Sequence, residues 1–232
     1  MAKEEYIKRI FAEVAPVYDR FNLLASWGNV LLWQRRFVRL CRIEPGIRVL
    51  DVCCGTGKVS ALLAHRAGAG GCVIGLDFSD DMLRRATAAR GLSYTRGDAL
   101  DLPFHDDSFD LVTSTFALRN LSCMSSFMKE AHRVLVPGGR LCVMDMYLPA
   151  MTWLRTAYRL YLRHALPLIG RIVNPGAACR PYHYLAVSIT GFADPYCVSA
   201  VMSSSGFARV RMHRVSAFRV YMHEGTKAER IS

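Results

Sequence analysis

Two hydrophobic periodicities alternate along the chain. Arg48-Val49-Leu50-Asp51-Val52-Cys53, Cys72-Val73-Ile74-Gly75-Leu76-Asp77 and residues 141–146 are nearly continuous apolar runs. Runs this short predict strands covered on both faces of a sheet. Residues 92–95 and 109–114 predict two more. Between the strands, apolar positions fall at helical spacing over residues 59–67 and 127–135. Ser79 N-caps a further helix running through Met82, Leu83 and Ala86. Pro137-Gly138-Gly139 marks a turn before the fifth strand. Strands alternating with helices predict a mostly parallel sheet with right-handed crossovers and helices on both faces. Beyond Phe207, runs at 210–215 and 218–222 predict a closing hairpin at one sheet edge. The pattern divides one domain into a helical cap (1–45), an alternating core (46–147) and a last part (148–232) of helices and closing strands.

Ligands of open parallel sheets bind beyond the carboxyl ends of the strands. The first such turn reads Asp51-Val52-Cys53-Cys54-Gly55-Thr56-Gly57. It has neither the dinucleotide GxGxxG nor the triphosphate GxxxxGK[ST] spacing. Asp77 ends the second strand, where a carboxylate can accept from both hydroxyls of a ribose. Asp98-Ala99 follows the third strand, and Thr115 the fourth. Four successive strand ends thus carry polar groups at one rim.

Composition narrows the partners. Of 232 residues, 52% are hydrophobic and 21% charged, which excludes a disordered chain. No apolar run reaches the roughly 18–20 residues of a membrane span. The charged start, residues 1–9, lacks a secretory signal, so a cytoplasmic protein is expected. The net charge of +11 favours anionic partners. Eight cysteines without a CxxC pair predict thiols, those at 53, 72 and 142 packed inside strands, and no zinc site. Residues 153–166 place Arg155, Arg159 and Arg163 on one helical face. Leu154, Tyr158, Tyr161, Leu162 and Ala165 supply apolar surface. Such a helix suits peripheral contact with an anionic membrane, here at its inner face, or covers the domain with a solvated arginine face.

Asp51-x-x-x-Gly55-x-Gly57, Asp77, Asp98-Ala99 and Pro137-Gly138-Gly139 together resemble the class I S-adenosylmethionine-dependent methyltransferases. Phe11-x-x-Val14-Ala15-Pro16-x-Tyr18-Asp19-x-x-Asn22, Phe116-Ala117-Leu118-Arg119-Asn120 and Tyr182-x-Tyr184-Leu185-x-x-Ser188-Ile189 narrow the resemblance to the menaquinone and ubiquinone C-methyltransferases. The resemblance spans roughly residues 10–220. It implies a Rossmann-like fold and S-adenosylmethionine held by Tyr18, Asp51, Gly55, Thr56, Gly57, Asp77, Asp98, Ala99 and Thr115. Asp51 would lie near the amino-acid end of the cofactor, Asp77 on the ribose and Asp98-Ala99 around adenine. Tyr18 and Asp19 would sit on a segment closing over it. The implied acceptor is a polyprenylated quinol, foremost demethylmenaquinol, touched by Phe116, Tyr182 and Tyr184. Ala117, Asp145-Met146-Tyr147, Val187 and Ala193 depart from the family pattern, which keeps a ubiquinone precursor or another phenol open as acceptor for C- or O-methylation.

Carbon methylation of a hydroquinol needs a base, or a group that stabilises the phenolate. Arg119 is expected to stabilise the phenolate or hold a water that takes the proton, Asn120 to orient Arg119 or the quinol oxygen, and Asp145 to be a second candidate base or orienter. His183 is more plausibly a surface or packing residue. Thr113-Ser114-Thr115-Phe116 stands where enzymes that methylate base amines carry Asp/Asn-Pro-Pro-Tyr, so no nucleic-acid acceptor is expected. A homodimer and a non-catalytic binding protein on the same fold stay open from sequence.

Overall fold

Five parallel strands lead the sheet in a computed structural model describing residues 3–175 and 180–229. They are β1 (Arg48–Val52), β2 (Cys72–Asp77), β3 (Leu92–Arg96), β4 (Phe109–Thr115) and β5 (Leu135–Met146). β6 (Phe207–Ser216) and β7 (Val220–Lys227) form the expected hairpin, with β7 antiparallel between β5 and β6. The order is β3-β2-β1-β4-β5-β7-β6, so the topology switches between β1 and β4. The architecture is the expected Rossmann-like one.

The unbroken apolar runs are explained by two covered faces. Leu50 and Val52 point into one core with Phe127 and Ala131 of α6 (Met124–Val134) and Met202 of α10 (Pro195–Ser204). Val49 points the other way, to Phe37 of α3 (Asn29–Leu40) and Leu63 of α4 (Lys58–Ala67). A third core lies above the carboxyl ends of the strands. It joins α1 (Lys3–Val14) and α2 (Tyr18–Ala25) to α8 (Leu166–Val173) and α9 (Arg180–Thr190). A π turn, Tyr161–Ala165, links α8 to α7 (Thr152–Leu160). The Tyr161 hydroxyl donates to the Ala25 carbonyl at 2.6 Å, fastening this rod to α2. Among the described residues no single helix is long and apolar enough to cross a membrane; α9 and α10 pass only as a pair bent by 75°.

Three local expectations are corrected. The helix capped by Ser79 ends at Leu83, not Ala86 (α5, Asp80–Leu83). The Thr87 N–H and hydroxyl both donate to the Thr56 carbonyl, and Tyr94 donates to the Thr87 carbonyl at 2.6 Å, which draws the chain away. Pro137-Gly138-Gly139 lies inside β5, absorbed by a register shift between Phe109 and Leu111. The described cysteines are thiols, but only Cys142 of the three strand candidates is fully buried. Cys53 has left the strand at φ +58° and Cys72 is exposed, while Cys179 lies outside the described residues.

Candidate active site

The carboxyl ends of β1, β2 and β3 open into a cavity of about 410 Å³. Gly55, Asp77, Asp98, Ala99, Thr115 and Asn120 line it, and Ile7 and Phe11 of α1 cover it. Asp77 is 5% exposed and accepts from the Gly55 N–H at 2.8 Å and the Ser79 N–H at 2.9 Å. Each oxygen keeps acceptor capacity for a ligand hydroxyl. Burial pushes its carboxyl up, against the backbone N–H groups that favour the charged form. Gly55 has φ +56°, and a Cβ there would meet only Tyr18 at 4.0 Å, so its backbone lies open to a ligand. These features fit a nucleoside-bearing cofactor such as S-adenosylmethionine.

The turn is clamped from above by α2. The Thr56 hydroxyl donates to Asp19 at 2.7 Å, and Lys58 pairs with the other Asp19 oxygen at 3.6 Å. The segment carrying Tyr18 and Asp19 therefore closes over the turn.

A second cavity of about 680 Å³ adjoins the first. Both are lined by Tyr18, Cys53, Gly55, Thr115 and Phe116, which form their junction. Phe116 has φ +58°, with its N–H bound to the Met144 carbonyl at 2.7 Å. The outer walls are Trp33, Tyr158, Tyr161, Leu162, Leu185 and Ile189. This chamber suits a largely apolar aromatic ligand.

Arg119 is the buried charge in the chamber wall. It lies on the 3₁₀ turn Leu118–Asn120, with its side chain 7% exposed and paired to a fully buried Asp145. The same Asp145 oxygen accepts from the Met146 N–H at 2.8 Å, while Asp145 Oδ2 and Arg119 Nε have no hydrogen-bond partner among the described residues. Burial pushes the Asp145 carboxyl up, and Arg119 opposes that shift. Asn120, next in sequence, faces the smaller cavity and accepts from the Tyr184 hydroxyl at 3.1 Å.

The profile of the ubiE/COQ5 methyltransferase family matches residues 1–227. The ubiquinone/menaquinone biosynthesis C-methyltransferase UbiE of Teredinibacter turnerae is 36% identical over 97% of this chain and 93% of its own. The demethylmenaquinone methyltransferase of Listeria monocytogenes is 33% identical over 97% of both. The chain belongs to the ubiE/COQ5 methyltransferase family. It is a methyltransferase with S-adenosylmethionine as methyl donor. Among solved structures, an Aquifex aeolicus S-adenosylmethionine-dependent methyltransferase shares the fold at TM-score 0.64 and 17% identity, covering 90% of this chain and 97% of its own.

Several expected site residues of this ubiE/COQ5 member stand elsewhere. Asp51 lines neither cavity: it is 1% exposed and accepts from Ser60 at 2.6 Å and Thr113 at 2.8 Å, supporting the turn from beneath. Gly57 is a packing glycine, because a Cβ there would lie 2.0 Å from the Tyr94 hydroxyl oxygen. Thr56 faces Asp19 and the larger chamber instead of the smaller cavity. Asp145 reaches neither cavity and is paired with Arg119. Tyr182 is core: it packs on Phe21 at 4.6 Å and over Gly170, where a Cβ would come within 2.2 Å of its ring. Tyr184 reaches the site only through Asn120, and His183 is exposed, as expected. Sequence reasoning missed the chamber walls, leaving Tyr158, Tyr161 and Leu162 as the apolar face of a helix that either touches a membrane or covers the domain. Their shared face, apart from the arginines, was visible, but not the helices it meets.

Proposed function

We propose that this enzyme methylates a ring carbon of a membrane quinol, with demethylmenaquinol the first acceptor to try. The observation that carries the reading is Arg119, fixed by Asp145 in the wall of an apolar chamber that meets the cofactor cavity. S-adenosylmethionine, when bound, supplies an electrophilic methyl group on a cationic sulfur. The chain must ionise the acceptor and exclude water. Arg119 already acts on phenols: it lowers the pKa values of Tyr18, Tyr158 and Tyr184 against the upward push of burial. A quinol hydroxyl in the chamber would feel the same field, and its phenolate would be stabilised there. The ionised oxygen feeds electron density to the ring carbon, which takes the methyl group as its bond to sulfur breaks and then releases its ring proton to water, restoring the aromatic ring. A guanidinium keeps its proton at working pH, so Arg119 stabilises the anion, or holds a water that takes the proton, but does not itself act as base. Asp145 holds its orientation.

The test is methyl transfer from labelled S-adenosylmethionine to a short-chain demethylmenaquinone, with and without reductant. Transfer confined to the reduced sample, with the label on a ring carbon, is the expected outcome. Cofactor binding without product on naphthoquinol or benzoquinol would instead point to another phenolic acceptor.

A further inference from the structure

Positive charge is unevenly placed. Residues 20–43 hold five arginines and no acid, and residues 146–193 hold five arginines and no acid. The remaining chain carries 20 basic and 19 acidic residues (30 minus 10, against all 19), so these two segments hold nearly the whole excess. Exposed apolar surface follows the same division. Among the described residues, 12 of 15 exposed large apolar side chains lie in the same segments. They include Leu24, Trp27 (82% exposed) and Leu32 at the α2–α3 corner, and Trp153 (66%) and Leu160 on α7. α7 buries no residue at all. The segments meet at the Tyr161–Ala25 hydrogen bond and together wall the larger chamber, with Trp27 in its lining.

We infer that the α2–α3 corner and α7 form one docking face for an anionic phospholipid bilayer around the mouth of the chamber. An inward-facing acid-free wall would need no exposed tryptophans, and a polyanion site would need no exposed leucines. Their combination matches an interfacial surface, with aromatic and aliphatic side chains in the headgroup region and arginines on lipid phosphates. Arg35, Arg36 and Arg39 of α3 are exposed and, among the described residues, form no ion pair. The inference rests on the quinol reading, because a bilayer-resident acceptor enters the chamber from the surface on which this face docks.

The test is co-sedimentation with phosphatidylcholine vesicles, with and without phosphatidylglycerol. The full-length protein should bind the mixed vesicles and lose binding as salt rises. Arg35→Gln with Arg36→Gln should weaken it about fivefold per arginine. Leu24→Glu with Leu32→Glu, and separately Trp153→Glu with Leu160→Glu, should weaken it by at least as much. These four side chains lie outside both cavities, so methylation of a soluble short-chain quinol should be unchanged while that of a long-chain quinol in vesicles falls. Wild-type protein that ignores the mixed vesicles yet methylates the soluble quinol overturns the docking face and leaves the quinol reading intact. Binding that responds to the arginine variants but not to the leucine and tryptophan variants also overturns it, in favour of a polyanion site. Vesicle binding without methylation of any quinol supports the face and removes the quinol reading.

Discussion

Gly55 and Gly57, two positions apart in one turn, do different work, and alanine separates them. At Gly57 a methyl group collides with the Tyr94 hydroxyl and ring, so Gly57→Ala should lower Tm before it touches chemistry. At Gly55 the space is open, and both positions share the left-handed strain of roughly 1–2 kcal/mol. Gly55→Ala should therefore fold with that modest loss and bind S-adenosylmethionine more weakly, read by calorimetric titration. Asp77→Ala removes an ionic acceptor worth about 1.5–3 kcal/mol, or roughly ten- to a hundredfold in cofactor Kd. Unchanged affinity would move the ribose elsewhere. Arg119→Ala should leave cofactor affinity nearly intact and lower kcat on the order of a hundred- to a thousandfold, as for loss of one oxyanion donor. Its variant also leaves Asp145 buried without a cation, so urea unfolding should show a loss of about 3–5 kcal/mol. Equal loss of cofactor affinity and turnover would take Arg119 out of the acceptor chamber.

Among the elements, α2 is the part that couples the cap to the cofactor turn. Asp19 receives Thr56 and Lys58 at a half-exposed site, so its contribution is small, about 1 kcal/mol for the hydrogen bond and less for the ion pair. Asp19→Ala should weaken cofactor binding by up to about tenfold while hardly moving Tm; a large drop in Tm would make the contact structural instead. The strands carrying Gly55, Asp77, Asp98 and Thr115 were legible because a buried parallel strand writes itself as a continuous apolar run ended by a turn. The rim was legible for the same reason: it is the set of polar residues at which those runs stop. Which polar residue turns inward was not. Asp51 and Asp77 look alike in sequence, yet Ser60 and Thr113 hold the first beneath the turn, while the second faces the cavity. The chamber was illegible because six helices and the π turn build it from residues far apart in sequence. Regular spacing groups Tyr158, Tyr161 and Leu162 on one face, but it does not say which helices that face meets.

At the scale of the whole molecule, two buried groups on opposite parts of the sheet give opposing pH dependences. Burial pushes Asp51 up to about 6, although Ser60 and Thr113 favour its charged form. Its native carboxyl holds a proton that the unfolded chain releases near the ordinary carboxylate value of 3.8. The stability this contributes is complete below that value and is lost as pH rises towards 6, about 3 kcal/mol in all. Burial, with a smaller push from His213, drives His223 down to about 4, where Tyr147 and Ser199 hold its ring at 2.9 Å each. Its native imidazole stays neutral while the unfolded one takes up a proton near 6.5. That contribution is complete above 6.5 and is lost as pH falls towards 4, again about 3 kcal/mol. Across the same window one contribution falls as the other rises, so in the parent they nearly cancel. Single substitutions break the balance in opposite directions. Relative to the parent, Asp51→Asn should become steadily more stable as pH rises from about 4 to 6, because the falling contribution is gone. His223→Gln, which keeps a donor and an acceptor, should become steadily less stable over that range. Urea midpoints measured across it check both, and two difference curves of the same sign would show that one of these groups keeps its ordinary titration inside the fold.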